Sequence, residues 1–237
     1  MKEASFKVYV PSYHRYDRIV TWNILEDCTY VVRASEEQAY RDAGVDKLWV
    51  VEDELINGMN KTFQYIIDNA PEDVFCVIDD DIKHIIYRLD DNSFIADKET
   101  AQAELERIAQ IMLDLDIGFA GVDIVAKPFG YTQEFEFKGV AGGLVWYNKA
   151  KYKAKFDPKC EFNEDCDKVL QELLVNRIIL KPKYLCMDTK VDTNAGGSNV
   201  GKTRQKQIDS ISYMKRKWGK YFQYDFRKNI PTLHVKR

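Results

Sequence analysis

An α/β architecture, a parallel sheet with helices packed on its faces, is what this sequence predicts, and three observations carry the expectation. Short runs rich in β-branched and aromatic residues recur through the first half of the chain. Segments with helical periodicity, each of roughly ten residues, separate them, and polar or turn residues close each run. Strands alternating with helices of that length form βαβ units, which place their strands in parallel and cover both faces of the sheet.

In order, the strand candidates are Phe6–Val10, Thr29–Arg33, Leu48–Glu52 and Val74–Ile78. The intervening helix candidates are Tyr16–Glu26, Ser35–Ala43 and Met59–Asn69. Ser35 and Gln38 have capping-box spacing, and Gly44 stands where a helix-terminating glycine belongs. Residues 1–95 are therefore predicted to be Rossmann-like. Beyond them, Lys98–Leu115 carries Leu105, Ile108, Met112 and Leu115 on one helical face. Gly118–Val125 and Glu134–Tyr147 read as sheet, Glu164–Asn176 as a helix, and Ile178–Met187 again as extended chain. The stretch Asp192–Thr203 places Gly196, Gly197 and Gly201 among small polar residues and predicts a mobile loop. A basic helix is expected over Arg204–Lys220.

At 237 residues, with 45% hydrophobic and 31% charged, the chain has the composition of one globular domain, residues 1–237, able to bury a full core. No apolar run approaches the ~20 residues of a membrane helix, and the start MKEASFKVYVPS lacks the pattern of a signal peptide. A cytoplasmic location without membrane contact is the expectation. Five cysteines without any C-x-x-C pair indicate neither a disulfide framework nor a zinc ribbon. Charge is unevenly spread. Residues 1–180 carry 21 Lys/Arg against 34 Asp/Glu, and residues 181–237 carry 14 against 4. Such a basic segment suits a polyanion; a solvated helical face explains it equally well.

The segment with most chemical content is VFCVIDDDI, where an apolar strand runs into Asp79, Asp80 and Asp81. Ligands of parallel α/β sheets bind beyond the carboxyl ends of the strands, where this triplet falls. Alternation along extended chain puts Asp79 and Asp81 on one side, and carboxylate oxygens suit Mg²⁺ or Mn²⁺. The alternative is an acidic turn that caps a helix. A second cluster, EFNEDCD, precedes an apolar helix, and acidic residues are also ordinary in a first helical turn. If Asp81 holds a metal-bound diphosphate, a carboxylate on the opposite wall would deprotonate an attacking hydroxyl, with Asp165 the first candidate and Glu164 the second. After the first strand, Pro11, Ser12, Tyr13, His14 and Arg15 can offer backbone N–H groups, an aromatic face and a guanidinium to a nucleotide. A turn with a helix cap is the alternative for that loop, and in GMNK Lys61 could reach a phosphate or carry no function. Of the histidines, His84 is expected beside the Asp loop, His14 at the surface, and His234 on a late strand returning to the sheet, where it could complete a metal site or be an ordinary strand residue.

Taken in order, PSY-x-R, the strand ending in DDD, GVAGGLVWYNK, the ED pair and the late histidine resemble GT-A nucleotide-sugar glycosyltransferases. The resemblance spans most of the chain and implies a nucleotide-sugar-binding half (1–95) and an acceptor half (96–237) with a mixed sheet. It implies Mn²⁺ or Mg²⁺ on the D-x-D, here Asp79-Asp80-Asp81 with Asp81 the direct ligand, and His234 as a further ligand. It assigns the base to Glu164-Asp165, the nucleotide loop to Pro11, Ser12, Tyr13 and Arg15, and the donor to a nucleoside-diphosphate sugar, a UDP-sugar first. Where related enzymes carry Arg-Asn in the helix before the Asp strand, this chain has Asn60-Lys61.

Within that fold, the IPSY-like start and EDCDKVLQELL look most like the TET-associated glycosyltransferases of phages. That likeness implies a hydroxymethylpyrimidine acceptor in DNA, flipped from the stack. Tyr213, Trp218, Tyr221, Phe222 and Tyr224, interleaved with the C-terminal cations, would then stack on bases. Transfer to a glycan, lipid or protein, a non-catalytic nucleic-acid-binding module, and a metal-dependent nuclease are the competing readings.

Overall fold

The computed structural model describes residues 3–89, 92–123, 133–160, 162–188 and 203–236. Its centre is a six-stranded sheet in the order β3 (Leu48–Val51), β2 (Thr29–Arg33), β1 (Phe6–Pro11), β4 (Val74–Ile78), β9 (Leu144–Asn148) and β7 (Phe119–Gly121). The first four run parallel; β9 is antiparallel to both of its neighbours. The sheet takes strands from both sides of residue 95. β4 and β9 are buried along their whole length, which is why their sequences are nearly continuous apolar runs rather than alternating ones.

Alternation appears instead in what each face packs against. Val8, Val10, Tyr30, Val32, Cys76, Ile78, Leu144 and Trp146 face one layer, with Leu105, Ile108 and Met112 of α3 (Lys98–Asp114). Tyr9, Val31, Phe75, Val77, Val145 and Tyr147 face the other, with Phe63 and Ile66 of α2 (Met59–Asn69) and Val169 and Leu173 of α4 (Glu164–Val175). Each such side chain contributes about 1.5–3 kcal/mol by leaving water. Trp146 satisfies its indole N–H on the Leu105 carbonyl at 3.0 Å, so the largest core ring leaves no polar atom unpaired. The Asp97 side chain caps α3 by accepting from the Thr100 N–H at 2.8 Å.

Several expectations need correction. Tyr16–Glu26 is no α-helix; apart from one 3-10 turn at Thr21–Asn23 it is irregular. Its Thr21 hydroxyl donates to the Asp79 carbonyl at 2.7 Å, so tertiary anchoring overrides local propensity. Ser35 caps nothing. Its hydroxyl donates to Asp53 at 2.5 Å, and α1 (Glu37–Asp42) starts later. Gly44 does end that helix, at φ +88°. Glu134–Tyr147 is interrupted, because Gly139 and Gly143 have positive φ; only β8 (Phe135–Glu136) and the β9 residues are strand. Ile178–Met187 divides into β10 (Lys181–Pro182) and β11 (Leu185–Asp188). The loop expected over Asp192–Thr203 lies outside the described residues except for Thr203.

Three strands, two in the middle of the chain and one near its C-terminus, had no sequence counterpart. β5 (His84–Leu89) and β6 (Asn92–Ile95) form a small antiparallel sheet with β11, in the order β11-β5-β6. At the C-terminus, α5 (Arg204–Trp218) leads into a hairpin of β12 (Phe222–Asp225) and β13 (Ile230–Leu233). The late strand therefore pairs with its neighbour and does not rejoin the main sheet. Among the described residues no helix is long and apolar enough to cross a membrane.

Candidate active site

The chain runs outward from β1 to β2 to β3, then returns so that β4 pairs with the opposite side of β1. The strand order reverses at that point, and ligands of open α/β sheets bind at the carboxyl ends of the strands flanking such a reversal, here β1 and β4. The Pro11–Arg15 loop leaves β1 there and the Asp79–Asp81 turn leaves β4. The two are tied together. Arg15 is buried and pairs through Nη1 with Asp80 and, at 3.1 Å, with Asp81 Oδ2. Ser12 donates to Asp80 Oδ2 at 2.5 Å and shares a 2.6 Å hydrogen bond with the Tyr40 hydroxyl. Burial pushes the Asp80 carboxyl up, with Arg15 and Ser12 opposing it. Arg15 thus engages both Asp80 and Asp81 through Nη1, and it stands at the Asp turn as an anchor of these carboxylates. Tyr13 is half-buried with Arg33 stacked 3.8 Å from its ring centroid. His14 is exposed, takes a left-handed φ of 56°, and reaches Glu36 at 2.6 Å.

Asp79 points elsewhere. Its backbone N–H donates to the Gly143 carbonyl at 2.8 Å, and a Cβ on Gly143 would lie 3.3 Å from its Oδ2. A Cβ on Gly142 would lie 2.3 Å from Asp165 Oδ2. The glycine pair ahead of β9 therefore lets the Asp79 and Asp165 carboxylates approach one backbone from two sides. Asp165 stands in the first turn of α4 beside Glu164. Burial, and then the charges of Asp81, Asp165 and Asp80, hold the Asp79 carboxyl well above its ordinary range. Burial followed by the Asp165 charge pushes Glu164 up to about 8.

One cation answers this crowd on the α4 side. Lys168, three residues after Asp165, places Nζ 2.8 Å from Asp165 Oδ1 while its own side chain is only 3% exposed. The sequence reading missed it, although an i,i+3 Asp–Lys pair within an apolar stripe was visible. A set of buried or half-buried carboxylates short of positive charge is what a hard divalent ion fits, and Asp79 and Asp81 offer oxygen donors for Mg²⁺ or Mn²⁺.

Other expected residues are not brought to this cluster. His234 is exposed directly after β13, its N–H donating to the Tyr221 carbonyl at 3.0 Å. Leu233 and Val235 on either side pack inward, so period-two alternation turns His234 outward. Its ring makes no hydrogen bond or ion pair among the described residues, and the returning strand expected to carry it is absent. Lys61 is exposed in the first turn of α2, and Asn60 Oδ1 next to it is buried without a hydrogen-bond partner. His84 sits after the Asp turn, 3.2 Å from Asp188.

Asp157, Cys160 and Asp167 converge closely enough to bind a metal. The chain fills that place with its own cation, because Lys217 of α5 contacts Asp157 at 2.9 Å and Asp167 at 2.8 Å. Trp218 adds an N–H to Asp167 at 2.7 Å. The basic helix thus docks on α4 through one of its own lysines. Tyr213, Trp218, Phe222 and Tyr224 all pack in the cluster beneath it, which leaves Tyr221 as the exposed member of the aromatic set. A cavity of about 350 Å³ lined by Gln64, Asp68, Tyr147, Lys149 and Tyr152 opens near the start of β4, away from these carboxylates.

No family model and no curated protein matches the sequence. Solved structures do match the fold. A mannosyltransferase from Pyrobaculum calidifontis, in complex with GDP-Man and Mn²⁺, is 12% identical with a TM-score of 0.60, covering 91% of this chain and 65% of its own. Glucosyl-3-phosphoglycerate synthase from Mycobacterium tuberculosis, with Mn²⁺, UDP-glucose and phosphoglyceric acid, is 8% identical with a TM-score of 0.51, covering 98% and 88%. S. aureus TarS 1-349 with UDP-GlcNAc is 12% identical with a TM-score of 0.50, covering 89% and 64%. The chain thus spans just under two thirds of the mannosyltransferase's length. At these identities the likeness speaks to architecture: the chain has the GT-A fold of nucleotide-sugar glycosyltransferases.

Proposed function

We propose that this protein is a metal-dependent glycosyltransferase that moves a sugar from a nucleoside-diphosphate donor, a UDP-sugar first, to an acceptor hydroxyl. The observation that carries the reading is the approach of Asp79 and Asp165 to the Gly142-Gly143 backbone, at the switch point of a GT-A sheet. The solved relatives that share this fold hold GDP-mannose or UDP-sugars, two of them with Mn²⁺. When bound, the ion would be held by Asp79 and Asp81 and would neutralise the diphosphate leaving group.

The chain's own residues do the rest. Asp165 faces the acceptor and takes its proton. The acceptor O–H bond breaks as its oxygen bonds the anomeric carbon, the bond from that carbon to the diphosphate oxygen breaks, and the nucleoside diphosphate leaves. Inversion follows from such a single displacement. Arg15 and Ser12 fix the Asp turn, with Tyr13 in the adjoining loop as the candidate donor contact. Asp80 supports this turn and contacts Arg15 rather than the metal. Burial and the neighbouring Asp165 charge push the Glu164 carboxyl up, and Glu164 is the second candidate for the base.

The narrower acceptor reading is a hydroxymethylpyrimidine in DNA, with residues 181–237 as the phosphate-tracking surface. Exposed Lys215, Arg216 and Lys220 support it. The packing of four of the five C-terminal aromatics against the chain's own core, Phe222 buried and Tyr213, Trp218 and Tyr224 partly buried, favours the second reading, transfer to a glycan, lipid or protein hydroxyl. Incubation with a panel of nucleotide sugars and Mn²⁺, with hydroxymethylated DNA in one arm and an oligosaccharide in the other, separates the two by product mass. A purely non-catalytic role predicts no nucleotide-sugar turnover in either arm.

A further inference from the structure

Lys168 has three properties that a helix-surface lysine lacks. It is 2% exposed, it makes its ion pair at 2.8 Å with a carboxylate whose side chain is 38% exposed, and its ammonium lies 5.4, 5.5 and 5.7 Å from the ring centroids of Phe63, Phe119 and Phe156. An ammonium taken this far from water costs several kcal/mol unless fixed groups replace its hydration. Three aromatic faces and one carboxylate are those groups here. An arrangement that serves only to hold α4 in place would use an apolar side chain at this position, since such replacements are commonly neutral or stabilising.

We propose that Lys168 is the positioning residue of Asp165: its caged ammonium anchors one carboxylate oxygen from below, so that the other is presented to the acceptor hydroxyl. The proposal rests on the reading of Asp165 as the base. The geometry supports it from both sides. Lys168 grips Oδ1, and a Cβ on Gly142 would stand nearest to Oδ2, at 2.3 Å, so the carboxylate is bounded by an ammonium and by a position where a Cβ would force it to shift. The cage rings come from α2 (Phe63), β7 (Phe119) and the chain before α4 (Phe156), which ties the base's orientation to three separate elements. Burial alone would lower the lysine pKa, yet the Asp165 charge holds it above its ordinary value, so the ammonium stays charged through the neutral range.

The test uses the full chain with Mn²⁺ and whichever nucleotide sugar it turns over. Lys168→Met keeps length and apolarity, and Asp165 is open enough to water to stay solvated once unpaired. The expected result is a kcat reduced about 10²-fold, the usual cost of ~1 Å of misplacement, with donor KM and nucleotide affinity unchanged. Nitrogen-15 NMR of the lysine side chains supplies a readout independent of turnover. A slowly exchanging ammonium signal should be present in wild type, absent in Lys168→Met and shifted in Asp165→Asn. Unchanged kcat in Lys168→Met overturns the proposal while leaving the glycosyltransferase reading intact. Absence of the protected ammonium signal in folded wild type overturns it too. Absence of any nucleotide-sugar turnover in wild type, with the signal present and shifted by Asp165→Asn, removes the base reading and with it this role.

Discussion

Gly142→Ala is the substitution in which this geometry makes its sharpest statement. The new Cβ would stand 2.3 Å from Asp165 Oδ2 and 2.8 Å from its Cγ, against 3.4 Å for an ordinary contact. The carboxylate must therefore retreat by about 1 Å, and a displacement of that size costs about 10²-fold in rate. The fold has less at stake. Gly142 is not in the left-handed region, so alanine introduces no backbone strain there and removes unfolded-state freedom worth about 0.4–1 kcal/mol. Rotating a partly exposed aspartate off its preferred rotamer costs about 0.5–1.5 kcal/mol, so the two effects nearly cancel as long as Oδ1 stays on Lys168. The expected pair of results is a large loss in nucleotide-sugar turnover and a melting temperature within a few degrees of wild type. Gly143→Ala provides the contrast, because φ is +74° and the Cβ would stand 2.2 Å from Met187 Cε. That variant should lose stability. Full turnover in a well-folded Gly142→Ala protein would refute the placement of Asp165 as the base against this backbone.

Asp165→Asn should lower transfer by roughly 10²–10⁴-fold with nucleotide affinity near wild type, and a fall in affinity without a fall in turnover would move the residue to the donor site. The Asp123 carboxyl, which burial alone would raise, is held well below its ordinary value by Lys181 at 2.7 Å and Lys183 at 2.5 Å. Its contribution to stability is accordingly present above the unfolded pKa of about 4 and lost as pH falls through the depressed folded value, so Asp123→Asn should flatten the acid limb of a denaturation profile. If α5 tracks DNA, neutralising Lys215 and Arg216 should reduce the log–log salt slope of DNA binding by about 2, at ~0.9 per contact, and an unchanged slope would exclude the helix as the phosphate surface. Lys217→Met belongs to a different experiment: its partners are Asp157 and Asp167, so it should destabilise the protein whatever the acceptor.

The residues explain which parts of this fold were legible in the sequence. β2, β4 and α2 match their expected bounds, and β1, β3, α3 and α4 match within a residue, because buried parallel strands and the helices that cover them leave continuous or 3.6-periodic apolar runs. The 16–26 segment misled for the opposite reason. Its Thr21, Ile24 and Leu25 have helical spacing, but Thr21 is used to bridge the Asp79 carbonyl and the Ile82 N–H, contacts between residues some sixty positions apart. At the site, DDD and ED were visible as local clusters. What composition could not reveal is the direction of each side chain, such as the pairing of Arg15 with Asp80 and Asp81. His234 was placed by order alone, and the hairpin that turns it outward depends on pairing between β12 and β13.

The central claim is that Asp79 and Asp81 bind a divalent ion that a nucleotide-sugar donor shares. Isothermal titration of UDP-sugars and GDP-sugars into the protein, with Mn²⁺ and again with excess EDTA, tests it in wild type and in Asp81→Asn. The account predicts saturable donor binding with Mn²⁺ that disappears in EDTA and in the folded variant. Donor binding of equal affinity in all three conditions, or no binding of any nucleotide sugar to wild type with Mn²⁺, would contradict it.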